Sequence, residues 1–242
     1  MLLTELPAEI IVSICDNLND GDKINLISTC RDLFKTVNLM YFESKVRYNA
    51  IKDISYKYNF KSIIVDKDDD VKNLINFKCL ERILFDANFN NDIKGCIPPS
   101  VESVIFGWSF NKCVRGCFSN SLVYLTFGYS FDQDIKDCIP PSVKYLNLGY
   151  SFDRSIKECL PPYLTHLKLS WYFNQNIVDC LPNTLTCLEI GGYFSKSLKD
   201  VIPPSLTKLI FTEEYMNSVY FDPEFIPHSV DDIIIHMNIM YI

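Results

Sequence analysis

From Phe89 onward the chain repeats itself every 21 residues. Phe89, Phe110, Phe131, Phe152, Phe173 and Phe194 open successive units, and Tyr215 continues the series. Each unit then carries an apolar-x-x-apolar-x-apolar pattern, from Val101–Val104–Phe106 through Leu146 and Leu167 to Leu206–Leu209–Phe211. Between the two lies Ile/Leu-Pro: Ile97-Pro98-Pro99, Ile139-Pro140-Pro141, Leu160-Pro161-Pro162, Leu181-Pro182 and Ile202-Pro203-Pro204. A fixed period of this size marks a stacked-repeat architecture. Apolar residues two apart read as a short strand with one buried face. A Pro-Pro pair lacks N–H donors and fits neither a helix interior nor a central strand, so it marks an extended corner. The period falls in the leucine-rich-repeat range. The expectation is a solenoid with one short strand per unit in a parallel sheet.

One unit could not fold alone. It buries about five or six apolar side chains at roughly 1.5–3 kcal/mol each. Ordering its backbone costs about 1–2 kcal/mol per residue. Stacking supplies the difference, so the array folds collectively and its end units are atypical. Leu80, Ile83 and Phe85 fit the strand half of a leading unit. At the other end Ile226-Pro227 arrives three residues late, before a last strand at Ile233–Ile235.

Several columns repeat with the same spacing. Cys96, Cys117, Cys138, Cys159 and Cys180 form one, and Val201 takes the next slot. Packing tolerates Val where thiol chemistry would not, so the column reads as small buried residues. Asn90, Asn111, Asp132, Asp153, Asn174 and Ser195 follow the opening aromatic and can stabilise turns by bonding nearby backbone. Trp108, Tyr129, Tyr150 and Trp171 read as an aromatic row packed between units, with a binding stripe as the competing reading. Alternation along a strand sends the residues flanking the buried one outward. The candidate substrate-binding residues are therefore Tyr124, Thr126, Tyr145, Asn147, His166, Lys168, Glu189, Lys208 and Ile210, with Ser103, Ile105 and Cys187 in the same rows. Their diversity beside a fixed framework suits macromolecular recognition.

Charge and composition narrow the function. With 23 Lys+Arg against 30 Asp+Glu the net charge is −7, which argues against nucleic acid as a partner. No apolar run is long enough for a membrane span. Glu5 and Glu9 stand where a signal peptide would be basic or apolar, and Met240-Tyr241-Ile242 matches no prenylation or retention signal. The 10 cysteines then read as reduced thiols, and the expected location is the cytoplasm or nucleus. The three histidines are scattered, and no nucleophile elbow, zinc-protease helix or phosphate loop appears. Asp66 to Asp70 begins like a calcium loop but has Val71 at the turn and Phe77 at the closing position. The chain reads as a non-enzyme with no cofactor or metal.

Before the repeats the periodicity becomes helical. Ile10, Ile11, Ile14 and Leu18 follow Leu6-Pro7, with Pro suited to a first turn. Asp22 can cap a second helix carrying Leu26 and Ile27. Arg31 to Val37 offers a third and Tyr41 to Ala50 a fourth, linking helix. Leu6-Pro7-Ala8-Glu9-Ile10, with Ile14, Leu18, Asp22, Leu26 and Cys30-Arg31, resembles the F-box motif, although Leu33 stands where many F-boxes carry Trp. Phe89-Asn90 with Ile97-Pro98-Pro99-Ser100 resembles the FNIP repeat, a match covering most of residues 77–235. Together they resemble the F-box/FNIP proteins of amoebae and of the large DNA viruses that infect them.

The resemblance implies an α+β chain: a small three-helix F-box unit with its linking helix over 1–50, a connector and capping repeat over 51–88, six FNIP repeats over 89–214, and an atypical cap over 215–242. It further implies the substrate-recognition subunit of a Skp–cullin–F-box ubiquitin ligase, located in the host cytoplasm if viral. Its F-box would dock a Skp-type adaptor through Leu6, Pro7, Ile10, Ile14 and Leu18, and the solenoid would hold a protein substrate. Those five residues read equally well as the helical unit's own core. A non-catalytic scaffold, or an adaptor decoy, is the alternative.

Overall fold

A computed structural model describes residue 3 and residues 6–29, 31–66, 68–212, 215 and 222–236. Glu5, Cys30 and Met240–Ile242, which entered the arguments above, lie outside the described residues. Among the described residues ten short strands form a single parallel sheet in chain order. They are β1 (Phe42–Arg47), β2 (Phe60–Val65), β3 (Arg82–Phe85), β4 (Ser103–Ile105), β5 (Tyr124–Thr126), β6 (Tyr145–Asn147), β7 (His166–Lys168), β8 (Cys187–Ile190), β9 (Lys208–Thr212) and β10 (Asp232–His236). About nine turns of chain connect them. Among the described residues the α-helices are few and short: α1 (Ala8–Cys15), α2 (Asp20–Ser28), α3 (Arg31–Phe34) and α4 (Tyr48–Ile51).

Each repeat supplies the same parts. The central strand residues pair directly across the sheet, Val104 with Leu125, Leu125 with Leu146, Leu146 with Leu167 and Leu167 with Leu188, and all are buried. The opening phenylalanines stack into a spine from Phe89 to Phe194 with centroids 6.1–6.3 Å apart. The corner ends on a left-handed residue at the same place in six units, with φ between 57° and 71° at Gly95, Gly116, Asp137, Glu158, Asp179 and Asp200. The Asn/Asp column does more than stabilise a local turn. Each side-chain oxygen accepts from the backbone N–H one full repeat later: Asn90 from Asn111 at 2.9 Å, Asn111 from Asp132 at 3.0 Å, Asp153 from Asn174 at 2.8 Å. Ser100, Ser142 and Ser205 likewise donate to carbonyls of the preceding unit at 2.7–2.8 Å. These ladders satisfy the polar backbone of extended corners that make no sheet bonds.

The α+β expectation with a self-contained three-helix F-box unit over 1–50 is corrected here. The chain is a parallel β-solenoid with few helices, and its first strand begins at Phe42. The linking helix expected over Tyr41–Ala50 is mostly this strand, followed by the four-residue α4. Tertiary contacts decide it. Phe42 is fully buried and stacks on Phe60 at 4.8 Å. The Asp20 carboxylate accepts from the Ser44 N–H at 2.5 Å, and Lys23 Nζ donates to the Tyr41 carbonyl at 3.0 Å. α1 and α2 thus sit on the first turn, and Ile11, Cys15 and Ile27 join one core with the strands. Asn19 rather than Asp22 caps α2, accepting from the Asp22 N–H at 2.9 Å. The stretch 51–88 contributes β2 and β3.

Candidate protein-binding face

Because each strand buries its middle residue, the two flanking residues point away from the core. Register aligns them into two columns. One runs Ser103, Tyr124, Tyr145, His166, Cys187, Lys208, and the other Ile105, Thr126, Asn147, Lys168, Glu189, Ile210. All nine candidate residues therefore share one face of the sheet, and none is in the core.

The face divides by chemistry. At its N-terminal end Lys61 lies 2.7 Å from Glu43 and 3.2 Å from Glu81, and Arg82 joins the same carboxylates. The hydrogen bond to Glu43, with that to Glu81, holds the Lys61 ammonium above its ordinary pKa despite partial burial. Toward the C-terminal end Lys168 pairs with Glu189 at 2.5 Å and Lys208 with Asp232 at 2.8 Å. The centre is aromatic. Tyr124 is 54% exposed, and Tyr145 lies between Tyr124 and His166 with centroids 6.2 Å to either side. Two candidates turn partly inward on their own chain: Asn147 Oδ1 accepts from the Gly149 N–H at 2.9 Å, and His166 Nδ1 lies 2.9 Å from the Thr165 hydroxyl. The charged N-terminal zone escaped the sequence reading, because β1 and β2 carry no 21-residue signal.

Beside the strands runs the second aromatic row. Trp108 and Tyr129 stack at 4.1 Å, Tyr129 and Tyr150 at 4.4 Å, and Tyr150 and Trp171 at 5.9 Å. The row packs between units as expected, yet Trp108 is 59% exposed. A cavity of about 350 Å³ opens beside Tyr150 and Trp171, floored by Gly149 and Gly191 and edged by the Lys168–Glu189 pair. The row is thus both mortar and surface.

The cysteine column carries free thiols. Burial pushes their pKa values up, that of Cys117 to about 11, so they are poor nucleophiles near neutral pH. Among the described residues no cluster of three or more His, Cys, Asp or Glu side chains could hold a metal ion, and no helix is long and apolar enough to cross a membrane. At the N-terminal end α1 turns the adaptor candidates Ile10 and Ile14 away from the core. Its Ile11 and Cys15 face the core, while Ile10 is 48% and Ile14 39% exposed. Pro7 is exposed, and Leu6 and Leu18 are half-buried.

A family model described as FNIP Repeat matches residues 89–129, 114–151, 152–193 and 173–214. The chain is 32% identical over 83 residues to an FNIP repeat-containing protein, L415, of Acanthamoeba polyphaga mimivirus, covering 34% of this chain and 20% of the relative. A second protein of that virus, the uncharacterised L167, is 30% identical over 92 residues, covering 36% of this chain and 28% of its own length. The chain thus spans only 20–28% of the length of these relatives. Among solved structures, CroV588, described as a circular LRR protein, superposes with a TM-score of 0.65 at 29% identity, over 75% of this chain and 28% of that one. That likeness lies with a parallel-sheet solenoid and again speaks against the α+β expectation.

Proposed function

This chain belongs to the FNIP repeat family, and on that premise we propose that it is a non-catalytic binding module that holds a protein partner on the outer face of its sheet. The observation that carries this reading is the contrast between columns. Inner columns repeat one chemistry from unit to unit, while the outer columns vary along the array, with only Tyr124 and Tyr145 alike in succession, and place Tyr124, Tyr145 and His166 between two ion-paired zones. Tyrosine and tryptophan anchors dominate the energetics of protein interfaces. Rim charges add specificity more than affinity. Thr126, Asn147, Lys168, Glu189, Lys208 and Ile210 complete the contact surface.

The test is site-specific photo-crosslinking from positions 124 and 145, with the exposed corner residue Lys157 as control. Partner crosslinks at 124 and 145 but not at 157 support the reading, and the reverse pattern refutes it. Once a partner is in hand, Tyr124→Ala should weaken binding by about 2 kcal/mol, roughly 30-fold in Kd.

A second reading concerns the other end of the molecule. Ile10 and Ile14 form an exposed apolar pair one helical turn apart, next to Leu6, Pro7 and Leu18. They would dock a Skp-type adaptor of a cullin–RING ligase and make the chain its substrate receptor. Co-expression with such an adaptor should give a 1:1 complex that Ile10→Asp/Ile14→Asp abolishes while the protein stays folded. Failure of the folded native chain to bind the adaptor leaves the scaffold reading alone.

A further inference from the structure

The outer aromatic row changes its packing at its last step. Trp108, Tyr129 and Tyr150 follow one another at 4.1 and 4.4 Å, but Tyr150 and Trp171 stand 5.9 Å apart with planes 2° from parallel. Neighbouring turns lie about 4.8 Å apart, so the extra distance is a sideways slide of the indole by roughly 3–4 Å. The slide uncovers part of the two facing ring surfaces. Gly192 takes the next place in the row, and a Cβ there would lie 2.7 Å from Trp171 Cζ2. The indole itself lies over that residue, and the row ends. The cavity of about 350 Å³ opens where the slide occurs. Its floor is backbone, because Gly149 and Gly191 carry no side chain and Ser170 between them turns its hydroxyl inward to the Phe152 carbonyl. Its rim is charged, with Lys168 Nζ 2.5 Å from Glu189 and the two side chains 39% and 25% exposed. The residues three before Trp108, Tyr129 and Tyr150 are Ile105, Thr126 and Asn147, none of them charged. An aromatic wall, a floor without side chains and an ion pair thus coincide here.

We propose that this cavity binds a neutral pyranose sugar, free or as the end of a glycan. The ion pair selects the class. A cationic ligand would be repelled by Lys168 and an anionic one by Glu189. A wholly apolar ligand would strip water from both charges, which is costly. A hydroxyl both donates and accepts. One sugar hydroxyl can therefore donate to the Glu189 carboxylate while another accepts from the Lys168 ammonium, and the charges of the pair stay balanced. Hydrogen bonds to ionised groups are the strong ones. The C–H face of the ring is apolar and packs on the uncovered aromatic surface, whose negative π face attracts its hydrogens. Glycine in the floor lets the ring approach the backbone closely. The volume lies in the range of small-molecule sites and leaves room for one ring with bridging waters. The proposal does not rest on the protein-binding reading, whose anchors Tyr124 and Tyr145 stand in the other outer column.

The two tryptophans of the chain make the test internal. Trp171 lines the cavity, and Trp108 stands earlier in the same row. The probes are methyl α-glucoside, methyl α-mannoside, methyl β-galactoside and methyl β-N-acetylglucosaminide, each added to the whole ¹⁵N-labelled chain up to about 50 mM, well above a millimolar Kd. At least one should shift the Trp171 indole N–H resonance saturably and leave that of Trp108 in place, with Trp108→Phe assigning the two signals. Lys168→Ala and Glu189→Ala change only the rim and should each weaken binding about five- to tenfold with unchanged circular dichroism. A glycoprotein carrying the sugar that binds is then compared with its enzymatically deglycosylated form. Capture of the glycosylated form alone assigns the cavity to glycan ends, and capture of neither assigns it to free sugars. No saturable Trp171 shift with any of the four sugars overturns the proposal. Equal shifts of both indoles, or rim variants that bind as well as the native chain, overturn it too. Acetate and methylguanidinium serve as charged controls, and a Trp171 response to either in place of the sugars overturns it by assigning the cavity to an ion.

Discussion

Gly128 holds its place by distance alone. A Cβ there would lie 1.8 Å from the Gly107 carbonyl oxygen, and Gly107 and Gly191 face carbonyls at 2.1 Å one repeat before them. Leaving the strand, the chain passes so close to the previous turn that most side chains cannot enter. Gly128→Ala should therefore cost on the order of 3 kcal/mol, read as a lower urea midpoint with an unchanged slope. Ser170 shows how the column can yield. It occupies the same slot, fully buried, and its hydroxyl donates to the Phe152 carbonyl. The corner column gives the opposite prediction. Glu158 sits at φ 59°, where Gly95 and Gly116 sit in earlier units. A left-handed L-residue costs roughly 1–2 kcal/mol, and Gly returns part of that as backbone entropy. Glu158→Gly should raise stability by about 0.5–1 kcal/mol in the same titration, and substituting Gly116 by Val should lower it.

At the scale of elements, α2 is fastened to β1 by one buried carboxylate. Burial alone would raise the pKa of Asp20, but hydrogen bonds from the Ser44 side chain and backbone, with Lys23 nearby, outweigh it and hold the pKa below the ordinary carboxylate value. A depressed pKa contributes stability that is present above the unfolded value, near 4, and lost as pH falls through the folded one. Asp20→Asn should therefore cost about 1.5–3 kcal/mol at pH 7, and the gap between variant and native chain should close as pH drops below 4. Paired urea titrations at pH 7 and pH 3 measure it. The same junction shows why the solenoid was legible only in part. From β3 onward each strand follows its neighbour by 21 residues as far as β9, so period and pattern agree. Ile63 precedes Ile83 by 20 residues and Phe42 precedes Phe60 by 18. The drift hides the first two turns, and Tyr41–Ala50 reads as a helix until Phe60 and Asp20 are placed beside it. The candidate binding face was legible by alternation, because each outer residue is one step from a buried one. The closing of Lys168 onto Glu189 and of Asn147 onto its own backbone was not, since both depend on side-chain torsions that spacing does not encode.

For the whole molecule, the repeat makes length a variable that can be changed without changing the fold. Each turn touches mainly its neighbours, so stability is a sum of unit and interface terms rather than the property of one closed core. Residues 131–151 are one complete period, running from Phe131 to the residue before Phe152. Removing them joins Ser130 to Phe152 in register, sets Leu125 against Leu167, and lets Phe110 meet Phe152 in the spine. The ladder from Asn111 then ends on the Asp153 N–H. The shortened chain should fold cooperatively with native-like circular dichroism and a slightly smaller urea slope, because less surface is exposed on unfolding. Deleting 131–141, about half a period, removes the same kind of residues but puts every later strand out of register, and should abolish the transition. The pair also separates fold from function. The full-period deletion removes Tyr145 and Asn147 and brings Tyr124 beside His166, so a chain that folds yet loses its partner would assign binding to the order of outer residues. A half-period deletion that still folded would refute the solenoid account, because nothing else requires the spacing to be kept.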